Sequence, residues 1–160
     1  FDQIVIAVGD NSVRKNIYKK IKAQLRKKKL IFAKIISKNA QISYGTKIGP
    51  GTVILSGVNI NINTSIGSNC LINNSCSINH DNKINNFASI APGVITGGNV
   101  VVEKNSHIGI AAKIKNNIKI GSNTIVGGGS YVNKNCKSNF IYYGVPAIPI
   151  RKRNKSEKYY

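Results

Sequence analysis

An aliphatic residue recurs at every sixth position through the centre of this chain. Fifteen of sixteen such positions hold Ile or Val. The sixteen residues are Ile42, Ile48, Ile54, Ile60, Ile66, Ile72, Ile78, Ile84, Ile90, Thr96, Val102, Ile108, Ile114, Ile120, Val126 and Val132. Neither the period of a helix nor the alternation of a strand gives this spacing. It predicts a parallel β-helix in which three six-residue edges form one coil, so that each side chain stacks on the one eighteen residues later.

The residue four places after each aliphatic position should also point inward, close to a corner, and should be small. These residues are mostly small or β-branched, as in Thr52, Thr64 and Ala88. They include all three cysteines, Cys70, Cys76 and Cys136. We therefore interpret the cysteines as core side chains, not as nucleophiles, metal ligands or disulfide partners. Gly directly follows the aliphatic position six times, and there we expect the chain to turn. These glycines are Gly49, Gly67, Gly97, Gly109, Gly121 and Gly127.

The segment before the repeat has a different pattern. An apolar run at residues 4–8 predicts a buried strand, and residues 30–36 predict a second one. Between them an apolar stripe predicts a helix over about residues 13–28, with Asn11 or Ser12 as its N-cap. The stripe consists of Val13, Ile17, Ile21 and Leu25. These elements predict a partial, Rossmann-like β-α-β unit.

The repeat stops after Cys136, and the apolar residues 140–143 would cap the open end, as a solenoid requires. The sequence thus predicts a mostly β protein with three parts. They are a partial β-α-β unit at 1–36, a parallel β-helix at 37–137, and a cap with a basic tail at 138–160.

Two places break the repeat, and such breaks tend to mark functional sites. Thr96 replaces the aliphatic residue just before Gly97 and Gly98, and Asn82 occupies a small inward position just after His80 and Asp81. Since residue 98 lies eighteen after residue 80, we expect His80 and Gly98 to stack on adjacent coils.

His80 is the first candidate for chemistry, because histidine is the most common general base and a neighbouring carboxylate such as Asp81 would fix its tautomer. The alternative is an exposed polar residue without a role. Gly98 offers a backbone N–H that could bind an oxyanion, or it is only a loosened corner. His107 would stack on Ser89 and is either a second polar group of the same cleft or incidental.

The formal net charge is +19. It reflects either solvated lysines or a field that attracts phosphate-bearing ligands. Aromatic residues do not alternate with the basic ones, so we expect no nucleic-acid partner. We also expect no integral membrane segment, because no apolar run reaches eighteen residues. Two histidines are too few for a three-histidine zinc site, so no metal is expected. The free cysteines, with no signal peptide, predict a cytoplasmic protein.

Several motifs beyond the hexads resemble one family. They lie at residues 7–11, 14–18, 79–81, 87–93, 97–100, 107–110 and 143–147. They are similar to motifs of the left-handed β-helix sugar acetyltransferases of the sialic-acid O-acetyltransferase and bacillosamine N-acetyltransferase type. The resemblance spans essentially the whole chain. It implies a left-handed coil, acetyl-CoA as co-substrate and, as favoured acceptor, the amine of a UDP-linked 4-amino-4,6-dideoxy sugar used in bacterial glycan synthesis.

The resemblance also implies roles for individual residues. His80 matches the general base, Asp81 the acid that orients it, and Gly98 the oxyanion contact. Ile110 and Gly128 match contacts to the pantetheine of CoA. Residues implied to bind the nucleotide sugar are Asn73, Gly9, Asp10, Asn11 and Arg14.

Two positions depart from the family pattern, and both affect expected contacts. Ser89 stands where the family often has a second histidine. A second imidazole that contacts the acetyl group is therefore not expected, unless His107, one coil further on, takes this role. Ile148 stands where a lysine is common, so a contact to a CoA phosphate is either lost or made by Arg151, Lys152 or Arg153, of which we favour Arg151. The family resemblance further implies a homotrimer in which His80 of one subunit faces CoA on the next.

Two other functions stay open at this point. One is O-acetylation of a sialic acid on the same fold. The other is a non-catalytic β-helix that serves as a structural or binding protein.

Overall fold

A computed structural model describes residues 3–24, 31–154 and 157. The described residues form one helix, α1 (Asn11–Gln24), and a long series of mostly two-residue strands. The strands are β1 (Gln3–Ile4), β2 (Ile31–Phe32), β3 (Ile35–Ile36), β4 (Gln41–Ile42), β5 (Lys47–Ile48), β6 (Val53–Ile54), β7 (Asn59–Ile60), β8 (Ser65–Ile66), β9 (Leu71–Ile72), β10 (Ser77–Ile78), β11 (Lys83–Ile84), β12 (Ser89–Ile90), β13 (Ile95–Thr96), β14 (Val101–Val102), β15 (His107–Ile108), β16 (Lys113–Ile114), β17 (Lys119–Ile120), β18 (Ile125–Val126), β19 (Tyr131–Val132), β20 (Phe140–Gly144) and β21 (Ala147–Lys152).

From β3 onward the strands stack into three walls. Wall 1 holds β3, β6, β9, β12, β15, β18, β20 and β21, wall 2 holds β4, β7, β10, β13, β16 and β19, and wall 3 holds β5, β8, β11, β14 and β17. Successive coils pair in parallel with an eighteen-residue register, so that Ile90 lies between Ile72 and Ile108. The predicted parallel β-helix is confirmed, and its coils are consistent with the left hand that the resemblance implies.

The core follows the two predicted inward positions. Every aliphatic-position residue from Ile54 to Val132 is buried, Thr96 included, and so is every residue four places later from Thr52 to Cys136. The cysteines are core residues as predicted, and burial raises the pKa of the Cys70 and Cys76 thiols to about 11. Neutral, enclosed thiols of this kind pack like small apolar groups.

The corners turn at a different residue from the one predicted. The third residue after the aliphatic position has a positive φ in coil after coil, and it is most often Asn or Gly. Examples are Gly51 at 72°, Asn69 at 54° and Asn123 at 56°. Asn and Gly tolerate this left-handed region best.

The Gly directly after the aliphatic position serves close packing instead. A Cβ on Gly49 would lie 2.6 Å from the carbonyl carbon of Gly67 in the next coil, so only hydrogen fits between the two turns.

The N-terminal segment forms the predicted β-α-β arrangement, with differences in its bounds. Strands β1 and β2 pair in parallel, but each has only two residues, and β3 already belongs to wall 1. The cap of α1 is Asp10, whose Oδ1 accepts the Val13 N–H at 2.8 Å, and not Asn11 or Ser12. The predicted helix end falls in residues 25–30, outside the described residues.

Helix α1 contacts the β-helix through Asn11, Arg14 and the Tyr18 ring, and not through the predicted apolar stripe. Val13 is 41% exposed, whereas Asn11 and Arg14 are buried. The Arg14 guanidinium donates hydrogen bonds to the carbonyl oxygens of Val8, Gly9, Asn69, Phe87 and Ala88, to Asn11 Oδ1 and to Ser89 Oγ. Beside it, the Tyr18 ring lies 4.8 Å from that of Phe32 and 5.4 Å from that of Phe87, centroid to centroid.

Replacing Arg14 by Met should weaken the attachment of helix α1 to the β-helix. We expect the free energy of unfolding in urea to fall by about 3 kcal/mol, because several buried acceptors lose their donor at once. Lys20→Met, on the exposed side of the same helix, should stay within about 0.5 kcal/mol of the native protein. Equal effects of the two substitutions would contradict the assignment of Arg14 as the attachment point.

Candidate active site

His80 and Asp81 lie at the corner where wall 2 passes into wall 3, immediately after β10. The His80 Nδ1 atom is 2.7 Å from Asp81 Oδ2, and both side chains are about half exposed. The hydrogen bond with His80, together with one from Asn63, holds the pKa of the Asp81 carboxyl below its ordinary value. An ionised carboxylate on Nδ1 requires the proton there and leaves Nε2 as a proton acceptor.

Asp81 can take this position because of the corner conformation. Its φ is 57°, in the left-handed region that Asp tolerates better than most residues. The corner thus turns the carboxylate back toward its neighbour, which is why the two groups can be adjacent in sequence and still share a hydrogen bond.

Gly98 lies directly over the imidazole, as the eighteen-residue spacing predicted. A Cβ on Gly98 would be 2.5 Å from His80 Nε2 and 2.4 Å from Cε1, so only glycine leaves room for the ring. No atom of the described residues accepts a hydrogen bond from the Gly98 N–H. The base nitrogen and an available N–H donor therefore lie on adjacent coils of one corner.

A second group of predicted residues lies at the corner between wall 1 and wall 2. Ile110 is 61% exposed and borders a cleft of about 270 Å³ together with Gly128 and His107. Glycine is needed at position 128 because a Cβ there would lie only 2.9 Å from Ile110 Cγ2.

Tyr143, which the sequence predicted only as part of the apolar cap, forms one side of this cleft. Its ring packs so closely on Gly127 that a Cβ there would lie 1.9 Å from the ring carbons. Tyr143 is 49% exposed. The run of three glycines from Gly127 was the available signal, because it marks where an aromatic ring rests on the backbone.

Within one chain these two groups are at opposite edges of wall 2. His80 follows β10, and Ile110 precedes β16. Asn73 also lies at the cleft corner, in the same column as Ala91 and Gly109, which line the cleft. A single chain therefore does not bring the cleft and Asn73 to the base.

The remaining predicted sugar-binding residues make internal contacts. Asp10 caps α1, Asn11 donates to the Ser106 carbonyl at 2.9 Å, and Arg14 is bonded as described above. Gly9 and Arg14 also line an apolar cavity of about 320 Å³. A role for these residues in nucleotide-sugar binding stays a prediction.

Ser89, which stands in place of the family's second histidine, is buried and contributes to the attachment of α1. It donates a short hydrogen bond to Asn11 Oδ1 and accepts one from Arg14 at 2.9 Å. It is therefore not presented to a ligand in this arrangement. Its neighbour in the next coil is His107.

Arg151, the predicted phosphate contact, is exposed and forms an ion pair with Glu157. The hydrogen bond from Arg151 lowers the pKa of Glu157 to about 2. Contact of Arg151 with CoA stays a prediction. It would place a CoA phosphate beside the Arg151–Glu157 pair. No metal-ligand group of three His, Cys, Asp or Glu side chains occurs in the described part of the chain. Nor does that part contain a helix with the length and hydropathy of a membrane span.

Comparison with known proteins identifies the fold. No family model and no curated protein sequence matches the chain. Among solved structures, a mutant of GDP-perosamine N-acetyltransferase from Caulobacter crescentus, in complex with CoA and GDP-perosamine, is 25% identical with a TM-score of 0.89, and the match covers 95% of this chain and 70% of that one. WeeI from Acinetobacter baumannii is 25% identical with a TM-score of 0.84, covering 92% and 70%.

A third similar structure is the acetyltransferase domain of PglB from Neisseria gonorrhoeae in complex with acetyl coenzyme A. It is 24% identical with a TM-score of 0.87, covering 92% of this chain and 70% of that one, and supports the fold alone. The resemblance to β-helix sugar acetyltransferases found in the sequence is confirmed by these structures.

His107 should make the stability of the protein depend on pH. Burial, reinforced by the nearby Arg153 and Arg14 charges, lowers the pKa of His107 to about 4. Since the unfolded chain binds this proton near pH 6.5 and the folded chain does not, the free energy of unfolding should fall as the pH falls from 6.5 toward 4, by up to about 1.4 kcal/mol per pH unit.

The measurement is urea unfolding at several pH values. His107→Gln should remove most of this decrease, whereas His80→Gln, at an exposed ring, should keep it. A decrease that is unchanged in His107→Gln would show that other groups cause it.

Proposed function

We propose that this protein transfers the acetyl group of acetyl-CoA to the amine of a nucleotide-linked amino sugar. The observation that carries the proposal is the His80–Asp81 pair stacked under the Gly98 N–H. It occurs on a fold similar to that of an N-acetyltransferase solved with CoA and GDP-perosamine. A base and an oxyanion donor on adjacent coils are the two groups that acyl transfer requires.

The chemistry is direct transfer in a ternary complex. Asp81 holds the imidazole, and His80 Nε2 removes a proton from the sugar nitrogen as this attacks the thioester carbonyl. The Gly98 N–H stabilises the tetrahedral oxyanion. When the carbon–sulfur bond breaks, the CoA thiolate leaves and accepts from His80 the proton that came from the sugar nitrogen. No covalent acyl-enzyme is needed, and the three thiols are all buried.

Acetyl-CoA would lie along the cleft at the other edge of wall 2. Ile110 and Gly128 would contact its pantetheine, with Tyr143 as a side wall. Arg151 would meet a phosphate, helped by the excess positive charge of the chain. Asn73 would contact the sugar. Gly9, Asp10, Asn11 and Arg14 would lie near the nucleotide portion.

We further propose that the complete site forms between copies of the chain, in a homotrimer. The base and the cleft lie at opposite edges of wall 2, so packing the wall 2 edges of two chains together would bring them face to face. Closed cyclic symmetry repeats this contact three times. The favoured acceptor is a UDP-4-amino-4,6-dideoxy sugar, because the sequence motifs resemble those of the enzyme family that acetylates such sugars. The cytoplasmic location stays a prediction.

Thiol release from acetyl-CoA in the presence of different acceptors tests the reaction. UDP- and GDP-linked amino sugars should support release, and kcat/KM should fall at least about a hundredfold in His80→Ala, the size expected for loss of a general base. Lys83→Ala, exposed on the next strand, serves as control. Release with a sialic acid but no amine would favour O-acetylation, and a protein that binds no CoA would favour a non-catalytic β-helix.

Mixing two inactive variants tests the shared site. Gly128→Phe should fill the cleft, and His80→Ala removes the base. After the two are unfolded and refolded together, roughly a quarter of the native activity should return if each site takes one residue from each of two chains. If both residues act within one chain, the mixture stays inactive.

A further inference from the structure

The two breaks in the hexapeptide pattern are joined by a hydrogen bond inside the coil. Asn82 and Thr96 are buried, at 2% and 1% exposure. Asn82 Nδ2 donates to Thr96 Oγ1 at 2.8 Å, and Thr96 Oγ1 also accepts the backbone N–H of Asn79 at 3.1 Å. Thr96 therefore replaces an aliphatic residue of the repeat and Asn82 a small one, and both adjoin the candidate active-site corner.

The Asn82 carboxamide connects the peptides that carry the two catalytic groups. Its Nδ2 donates to the carbonyl of Asn79, at 2.8 Å, and to that of Gly97, at 3.0 Å. Its Oδ1 accepts the Val100 N–H at 2.5 Å. The first carbonyl belongs to the peptide that leads into His80, and the second to the peptide that leads into Gly98.

These bonds have a direct consequence for the Gly98 N–H. In a trans peptide the carbonyl and the N–H point in opposite directions. Since the Gly97 carbonyl is held toward the interior by Asn82, the Gly98 N–H at the other end of the same peptide faces outward, on the side of His80. This peptide joins two glycines, which have more conformational freedom than any other pair. The peptides on either side are held by the Gly97 N–H on Ile114 and by the Asn117 N–H on the Gly98 carbonyl, and the bond from Asn82 fixes the peptide between them.

Part of this arrangement is common to the fold. Thr52 Oγ1 donates to the Gly67 carbonyl, and Ser106 Oγ to the Gly121 carbonyl, each at 2.7 Å and fifteen residues along the chain. Such a hydroxyl also accepts the backbone N–H eighteen residues on, as Thr52 Oγ1 does from Cys70 and Ser106 Oγ from Thr124, and the bond from Val100 to Asn82 is of this common type. What the Asn82 carboxamide adds is a second donor hydrogen, which bonds the Asn79 carbonyl of its own corner and Thr96 Oγ1.

We propose that Asn82, supported by Thr96, is a positioning residue for acetyl transfer: it fixes the Gly97–Gly98 peptide so that the Gly98 N–H meets the developing oxyanion, in register with His80. The inference rests on the proposed function. Asn82 touches no substrate and acts through the two peptides that it holds.

Restoring the ordinary repeat provides the test. In Asn82→Val/Thr96→Val both positions carry residues that the hexad pattern favours, as Val100 and Val102 do, and the bond between the two side chains is removed from both ends. We expect a folded protein with a moderately lowered melting temperature, because the Asn79 and Val100 N–H groups lose these acceptors. The KM for acetyl-CoA should stay within about threefold of native and kcat should fall at least about tenfold, since an oxyanion donor contributes 10²–10³. The shape of the pH–rate profile should not change, because the base is kept.

Thr52→Val is the matched control. It removes the same type of bond at a corner remote from His80, and its kcat should stay within about twofold of native. A double variant with native kcat, or a control that loses as much, would overturn the proposal.

A crystal structure of the double variant gives a readout that does not depend on activity. The proposal requires the Gly97–Gly98 peptide to rotate or to adopt more than one orientation. An unchanged peptide would overturn it, even if no acceptor sugar had been found for the native protein. Absence of activity in the native protein with all acceptors, beside a displaced peptide in the variant, would count against the proposed function and not against the role of Asn82.

Discussion

The eighteen-residue register between coils is the constraint on which the rest of this structure depends. Parallel pairing on three walls places each residue against the one a single coil away, and stacked aliphatic side chains keep that register from slipping. It stacks His80 with Gly98 and Ile110 with Gly128. Since the walls are uniform, differences in chemistry are confined to the corners and to the outer faces.

The interior shows how such a solenoid accommodates polar groups without losing its core. Inward hydroxyls, such as those of Thr52 and Ser106, bond to a carbonyl of the next coil, so a small polar residue near a corner remains satisfied. Asn82 extends the same bonding to several partners. A polar core of this kind is compatible with stability only where every member is bonded, and here it coincides with the corner that carries the base.

Much of the fold and the centre of the site could be predicted from the sequence, because they follow from a strictly local period. The hexads gave the walls, the inward positions and the stack of His80 with Gly98. The prediction of which residue turns the corner was wrong, because glycine is used both in left-handed turns and where two coils pack closely, and the sequence does not distinguish the two uses. The left-handed residue is more often Asn, as at Asn69 and Asn123.

Features that depend on distant contacts could not be predicted. Arg14 donates to acceptors 55 to 75 residues away, so its contacts with the β-helix cannot be found from the sequence of its own helix. Tyr143 comes over Gly127 only because β20 continues wall 1. The prediction that the apolar stripe of α1 is buried was wrong, because the fully buried residues of that helix are Asn11 and Arg14.

A crystal structure with acetyl-CoA bound is the measurement that tests this account most directly. The proposed mechanism predicts that the pantetheine lies along Ile110 and Gly128 of one chain. The thioester carbonyl oxygen should then lie about 3 Å from the Gly98 nitrogen of a neighbouring chain, with His80 of that chain beside it. Acetyl-CoA bound elsewhere, or a thioester that reaches no His80 and Gly98 pair from any chain, would contradict it.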